Sequence, residues 1–153
     1  MRKRATIIIC VIGLFAFLIG RIVVADFIAA RDLAKVDIQK VIIGTWKGEV
    51  KVPTSDSMLT ITFYPDKNFK VEGEIFLKSG KKIPITYSGN YEIADNNIIY
   101  TITATNRPDI WSVGNTHSDK IVRLTPDLFG YSSKSGKRVY LHRVTTPQNK
   151  GAV

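Results

Sequence analysis

The sequence of 153 residues predicts a mainly β protein, an eight-stranded antiparallel up-and-down barrel preceded by an N-terminal transmembrane helix and a helical spacer. Three observations predict this arrangement. Apolar residues dominate the first 25 positions, apolar and polar residues alternate from Val41 onward, and turn-forming residues interrupt that alternation at short intervals. We therefore divide the chain into an anchor (1–25), a spacer (26–40), a barrel (41–144) and a flexible tail (145–153).

The N-terminal segment combines a basic start with an apolar run. Residues 1–4 read MRKR, and no charged residue follows until Arg21. That run spans about 24 Å as a helix, short of a hydrocarbon core of roughly 30 Å, but Arg21 can snorkel and residues 22–25 extend the apolar length. We expect residues 5–25 to form a single-pass anchor in the inner or cytoplasmic membrane. The basic end then stays in the cytoplasm and the barrel lies in the periplasm or outside the cell.

Three alternatives concern the same region. A cleaved secretory signal would end at the small residues before Asp26, but Arg21 lies between the apolar run and that site. Lipid attachment at Cys10, the single cysteine, would need a small residue before it, and isoleucines occupy those positions. The spacer has no glycine or proline and is compatible with a helix, although a poorly packed linker fits its ragged apolar pattern too.

Each run of the barrel region has one apolar and one polar face, which indicates an antiparallel meander. Closure of such a meander into a barrel removes exposed edges. The predicted strands are residues 42–52, 57–64, 69–78, 82–94, 97–105, 118–125, 128–133 and 137–144.

The interior of an eight-stranded barrel is either filled by side chains or wide enough for one small ligand. Both outcomes stay open from the sequence. Five inward positions carry large side chains that favour filling, namely Phe63, Phe69, Tyr87, Tyr91 and Tyr100.

The segment 106–117, NRPDIWSVGNTH, is the one long interruption of the alternation. Loops of this length in compact domains are often functional. Its candidate contacts to a ligand or a protein partner are Arg107, Ile110, Trp111 and His117. The alternative is that Ile110 and Trp111 tuck down and plug the end of the barrel.

Gly44-Thr45-Trp46-Lys47, followed by the meander, resembles the opening of the lipocalin-like and fatty-acid-binding barrels, together called calycins. The resemblance covers about 100 residues. It implies that Trp46 packs across one barrel end and that Arg143, near the end of the last strand, lies against its ring. Such a cation–π contact would clamp the first strand to the last, beside Gly44.

A second resemblance concerns GKRVYLHRV, which is similar to the closing strand of fatty-acid-binding proteins. It implies an inward Arg138 and Tyr140 that bind a carboxylate. Neighbouring side chains alternate, so this face excludes an inward Val139 and Leu141. We favour the apolar pair inside, because an unpaired buried arginine costs several kcal/mol.

The sequence also argues against several function classes. Arg2, Lys3, Arg4 and Arg21 account for four of the nine net positive charges, and the remaining +5 is scattered rather than clustered, so we expect no nucleic-acid partner. The barrel region has no cysteine, no HxxxH pair and no G-x-S-x-G motif, and we expect no metal, no cofactor and no enzymatic activity. Glu72 and Glu74 share a polar strand face, where solvated surface charge is the simpler interpretation.

Two functions from different classes follow. The first is an envelope interaction or structural module with a filled core, which contacts its partner through the loop around Trp111. The alternative is a carrier or binder of a small apolar or lipid ligand. A dry interior cavity of about 300 Å³ or more would favour the binder.

Overall fold

The computed structural model describes Leu33, residues 35–52 and residues 55–144. The predicted anchor, Cys10, most of the spacer and the tail lie outside these residues. Within the described part, no helix is both long and apolar enough to cross a membrane. The chain divides into two compact units between Lys35 and Val36. Of the first unit the structure describes Leu33, which is helical and buried, and Lys35, which is exposed; the second unit contains the barrel.

One helical turn, α1 (Ile38–Val41), precedes the barrel. Its N-cap is Asp37, whose carboxylate accepts a hydrogen bond of 3.2 Å from the Lys40 amide. The predicted spacer helix does not continue unbroken to residue 40, because residues 35–37 form a turn and a bend. Aspartate favours this break, since its side chain bonds the free amides at a helix start.

Eight strands form a closed barrel in sequential order, with every neighbouring pair antiparallel. β8 pairs back onto β1 through Trp46 opposite Arg143 and Lys47 opposite His142. The prediction of an eight-stranded antiparallel barrel is confirmed. The strands are β1 (Gly44–Val52), β2 (Ser55–Phe63), β3 (Asn68–Leu77), β4 (Lys82–Ala94), β5 (Asn97–Thr105), β6 (Thr116–Leu124), β7 (Leu128–Ser132) and β8 (Arg138–Arg143).

The main difference from the predicted boundaries concerns the long loop, which covers residues 106–115. Thr116 and His117 belong to β6, where they pair with Thr101 and Tyr100 of β5. His117 is therefore a strand residue and not a loop residue as expected. The sequence did not place this boundary, because the turn-forming Gly114 and Asn115 interrupt the alternation directly before it.

The barrel has two different ends. At the first, which we call the clamp end, lie the start of β1 and the hairpins β2–β3, β4–β5 and β6–β7. At the second, the loop end, lie residues 106–115 and the hairpins β3–β4 and β7–β8.

Aromatic side chains fill the interior toward the clamp end. Phe63 packs edge-on against Phe129 at 5.8 Å and against Tyr91 at 5.0 Å between ring centroids. Trp46 lies 5.8 Å from Phe129, and the Tyr91 hydroxyl donates to the Tyr64 carbonyl at 3.1 Å. This half of the barrel is therefore a packed hydrophobic core, stabilised by burial and by ring contacts.

Two irregularities in register shape the other half. Between β4 and β5 the register shifts at Ser88 and Gly89, where a Cβ on Gly89 would collide with the Thr101 carbonyl. A second shift in β6 lets Ile121 and Leu124 both be buried although they are three residues apart. Bulges of this kind bend strands and redirect side chains, and both flank the site described next.

Candidate functional site

The clamp end is sealed by Arg143 and Trp46. The guanidinium carbon of Arg143 lies 4.1 Å from the centroid of the Trp46 ring. Arg143 Nη1 donates to the Ile43 carbonyl at 2.9 Å and Nη2 to the Val41 carbonyl at 2.6 Å, while Nε donates to the Pro126 carbonyl. These contacts join β8 to the end of α1 and to the β6–β7 hairpin, so their role is to hold this end of the barrel together.

The Trp46 indole completes the seal by donating from Nε1 to the Ile42 carbonyl at 2.7 Å. Gly44 makes the close approach possible. Its φ of 128° lies in the region that favours glycine, and a Cβ there would overlap Arg143 Nη1.

The alternative carboxylate site on β8 does not form. Val139 and Leu141 are buried, whereas Arg138 is exposed and Tyr140 is 43% exposed on the outer surface. The reason is the strand period of two, which allows only one of the two sets to face inward. Arg138 and Tyr140 thus have no access to the interior.

The interior toward the loop end holds a cavity of about 140 Å³. Its floor is apolar and includes Ile61, Val71 and Ile102. β6 begins opposite Thr101, so residues 102–105 of β5 have no partner in β6. The Ile102 backbone bonds Gly114 and Asn115 of the loop instead, and this loop borders the cavity through Trp111.

The polar wall of the cavity comes from four neighbouring strands. The residues that line it are Tyr87 from β4, Tyr100 from β5, Asp119 and the exposed His117 from β6, and Tyr131 from β7. Tyr87 and Tyr100 point inward yet keep accessible surface, because water can enter this space. Five polar side chains therefore surround a space the size of a small molecule.

The fifth side of the cavity is covered by Trp111. Its indole stacks on Tyr87 with centroids 4.8 Å apart and an interplanar angle of 23°. The Trp111 amide donates to the Arg107 carbonyl at 2.9 Å, which closes a helical turn at the start of the loop. Trp111 is thus a lid residue that faces inward.

The loop that carries Trp111 is anchored at both of its ends. Asn106 bonds the Thr86 backbone through both its amide and its side-chain oxygen, and its Nδ2 donates to the Pro84 carbonyl. At the other end, the Gly114 amide donates to the Ile102 carbonyl at 2.8 Å. These bonds hold the lid against β4 and β5.

Four oxygen-bearing groups of the wall have no hydrogen-bond partner within residues 35–52 and 55–144. They are the Asp119 carboxylate and the phenols of Tyr87, Tyr100 and Tyr131. None of these oxygens is sealed from solvent. Buried polar groups in folded proteins are normally hydrogen-bonded, so the bonding capacity of these four groups is directed into the cavity.

Burial shifts the pKa of all four groups in the same direction. Burial raises the pKa of Asp119, and the nearby His117 opposes that shift. Burial also raises the pKa of Tyr87, Tyr100 and Tyr131, and the negative charge of Asp119 raises each of them further. The common cause is that the barrel wall removes each group from bulk water.

The loop residues singled out from the sequence have different positions. Trp111 and His117 line the cavity, whereas Ile110 is 43% exposed. Arg107 forms a bidentate ion pair with Asp109, at 2.8 and 2.5 Å, and is not part of the wall. The structure therefore brings together two of the four candidates.

Sequence reasoning missed Asp119 and treated the tyrosines only as filling. A signal was present, because Asp119 shares a strand face with His117 and Ile121. An acidic residue on an inward face is unusual, and the same alternation that identified the strand would have shown it.

A larger hollow of about 430 Å³ lies on the outer surface beside α1. Most of its lining is exposed. The charged residues of the lining are acidic Asp37 and Glu92 and basic Lys40 and Lys67. The four charged side chains are solvated there, so volume alone does not make this hollow a ligand site.

The order and direction of the strands decide the class of the fold. It is lipocalin-like. No protein-family model matches the chain, and no curated protein sequence matches it.

Within the described residues, no group of three or more His, Cys, Asp or Glu side chains is arranged to hold a metal ion.

Solved structures do show likeness to this lipocalin-like chain. A lipocalin-like protein from Bacteroides uniformis matches with 15% identity and a TM-score of 0.46, over 68% of this chain and 99% of that one. A putative lipoprotein from Shewanella oneidensis matches with 14% identity and a TM-score of 0.47, over 71% and 95%. An uncharacterized protein from Bacteroides eggerthii matches with 14% identity and a TM-score of 0.42, over 67% and 99%.

Proposed function

We propose that this protein is a membrane-tethered, non-enzymatic binding module that holds a small ligand in the loop-end cavity. One observation carries the proposal: the Asp119 carboxylate and three phenols line one solvent-accessible cavity without bonding to one another or to their described surroundings. A ligand with matching polar groups would satisfy them and gain the apolar floor as well.

The size of the cavity limits the ligand. A cavity of roughly 150 Å³ engineered in another protein binds benzene, so the 140 Å³ here accommodates about one ring with a short substituent. This volume is below the roughly 300 Å³ that we set as the criterion for a binder of an apolar or lipid ligand. A long acyl chain does not fit, and the proposal therefore narrows the carrier hypothesis to compact polar ligands.

Nuclear magnetic resonance of the full-length protein in detergent micelles tests this proposal. The chain has two tryptophans, hence two indole N–H signals. Trp46 Nε1 bonds Ile42 at the clamp end, whereas Trp111 covers the cavity. We expect one-ring polar fragments to shift the Trp111 signal and leave the Trp46 signal in place.

Trp111→Phe assigns the two signals and preserves an aromatic lid over Tyr87. A fragment set that leaves the Trp111 signal unmoved in folded protein would contradict the proposal. So would fragments that shift both indole signals equally, because that result indicates binding without preference for the cavity.

The envelope location belongs to the same proposal and follows from the predicted anchor. Cys10 is the single cysteine, so Lys81→Cys places one new thiol on the exposed β3–β4 hairpin. In intact cells this thiol should react with a membrane-impermeant reagent. Labelling only after lysis would place the barrel in the cytoplasm instead.

A protein contact at the loop is the second candidate function. Its support is the exposure of Ile110 (43%) and Val113 (60%), neighbours of a Trp111 that faces inward. A photo-crosslinking residue at position 113, in the full chain in its membrane, should yield one discrete product. The same residue at position 81 is the control and should yield none.

A further inference from the structure

We infer that the ligand of the loop-end cavity is a compact organic cation, a protonated amine carried on a single ring, whose ammonium group lies beside Asp119. This inference rests on the proposed function and names its ligand class. It follows from the charge, the aromatic surfaces and the acceptor oxygens of the wall.

The charge balance of the wall is the first argument. Asp119 is the one carboxylate that lines the cavity, and neither lysine nor arginine lines it with Asp119. A carboxylate removed from bulk water is costly unless a positive charge accompanies it. A cationic ligand supplies that charge, whereas an anionic ligand would add a second negative charge to the same space.

The aromatic surfaces give the second argument. Tyr87 and Trp111 form a stacked pair on one side, and Tyr100 packs edge-on against Phe69 at 5.3 Å on another. The faces of aromatic rings attract cations, and the attraction grows when the cation is removed from water. The same surfaces suit a ring in the ligand.

The acceptor pattern is the third argument. The Tyr100 and Tyr131 phenol oxygens can each accept a hydrogen bond, as can the Asp119 carboxylate. An ammonium group has three N–H donors and no acceptor. The three acceptors therefore match one ammonium group. A carboxylate ligand could accept from the phenols, but it would face the Asp119 carboxylate, which has no proton to donate when ionised.

Other ionisable groups face Asp119 from the surrounding elements. They are His117 on β6, Tyr87 on β4, Tyr100 on β5 and Tyr131 on β7. Because the ammonium group pairs with the charged carboxylate, amine binding should strengthen as pH rises and Asp119 loses its proton.

Lys137 lies at the β7–β8 hairpin, at the loop end of the barrel. Its carbonyl accepts from the Ser133 amide at 2.9 Å, across the β7–β8 hairpin. Its Nζ is sealed from solvent and has no hydrogen-bond partner in the described part of the chain, but Lys137 does not line the cavity. Replacement of Lys137 can therefore test whether the site prefers an anionic ligand instead.

The experiment compares three probes of one shape with different charge: benzylammonium, benzyl alcohol and benzoate. Affinities for the full-length protein in micelles are measured by titration of the Trp111 indole signal, with the Trp46 signal as a check of folding. We expect benzylammonium to bind at least about tenfold more tightly than benzyl alcohol, and benzoate to bind most weakly. Asp119→Asn should abolish the preference for benzylammonium.

Two results would overturn the inference and leave the proposed function intact. One is benzoate as the tightest probe, with its binding lost in Lys137→Met, which would identify an anion site. The other is an unchanged preference for benzylammonium in Asp119→Asn. If none of the three probes moves the Trp111 signal at millimolar concentration, the proposed function fails together with the inference.

Discussion

The guanidinium group of Arg143 lies over the ring of Trp46, at 4.1 Å from its centroid, and so joins the last strand of the barrel to the first. The pairing between these strands is short, with two residue pairs. Much of the closure therefore depends on side chains at the clamp end, and the cavity at the other end can remain open without loss of the barrel.

Replacement of Arg143 by lysine should destabilise the protein by about 2–3 kcal/mol. Lysine keeps the charge but cannot reach three carbonyls and the indole face at once. Urea unfolding followed by tryptophan fluorescence measures the change. Arg123→Lys, at an exposed position of β6, is the matched control and should change stability by less than about 0.5 kcal/mol.

Gly44→Ala should cost more than Gly80→Ala, although both glycines have positive φ. Gly80 has open space around its Cβ position, so alanine there adds only backbone strain of about 1 kcal/mol. At Gly44 the added methyl group also displaces Arg143 from the carbonyls it bonds. The two unfolding free energies should differ by at least about 1 kcal/mol, and equal losses would show that the clamp tolerates the displacement.

Asp119→Asn should stabilise the ligand-free protein increasingly as pH rises. Burial raises the pKa of Asp119 above 3.8 in the folded state. The contribution of Asp119 to stability is therefore fully present below pH 3.8 and is lost as pH rises through the folded pKa. Asparagine does not titrate, so the variant does not suffer this loss.

We expect a gain on the order of 1 kcal/mol near neutral pH and none near pH 3, measured by urea unfolding across that interval. Asp56→Asn, an exposed carboxylate on β2, is the control. A gain for Asp119→Asn that is already complete at the acid end would contradict the raised pKa.

The interior tyrosines should stay protonated in the folded protein well above pH 10, the ordinary value for a phenol. Burial raises the pKa of Tyr87, Tyr100 and Tyr131, so stability is present below 10 and declines as pH rises toward the folded values. Absorbance near 295 nm at about pH 11 should therefore report fewer than the six tyrosines of the chain.

The variant Tyr131→Phe distinguishes the tyrosine titration of the folded protein from that of the unfolded protein. It should leave the titration of the folded protein unchanged and reduce the amplitude in urea by one tyrosine. A reduced amplitude in the folded protein would show that this phenol already ionises in the barrel, against the burial described above.

The alternation of residues made the barrel predictable, since a strand such as β3 has Phe69 and Val71 on one face and Lys70 and Glu72 on the other. Turn residues then placed the hairpins, and the contact between Trp46 and Arg143 was expected from a short resemblance. These features are local, or depend on one residue in the first strand and one in the last, so they can be recognised in the sequence alone.

The site is different because its parts come from separate strands. Tyr87, Tyr100, Asp119 and Tyr131 are up to 44 residues apart and become neighbours only when the register of four strands is set. The loop of residues 106–115 then brings Trp111 over the space that they line. A strand pattern indicates which residues face inward but not how far opposite walls are apart.

The sequence by itself determined the number, order and inward faces of the strands, because a period of two and the turn residues are properties of the chain. Only the tertiary structure decided that the interior is packed at one end and hollow at the other, and that Trp111 turns inward over Tyr87. The physical reason is that volume and hydrogen-bond satisfaction depend on register shifts between strands, which no single strand encodes.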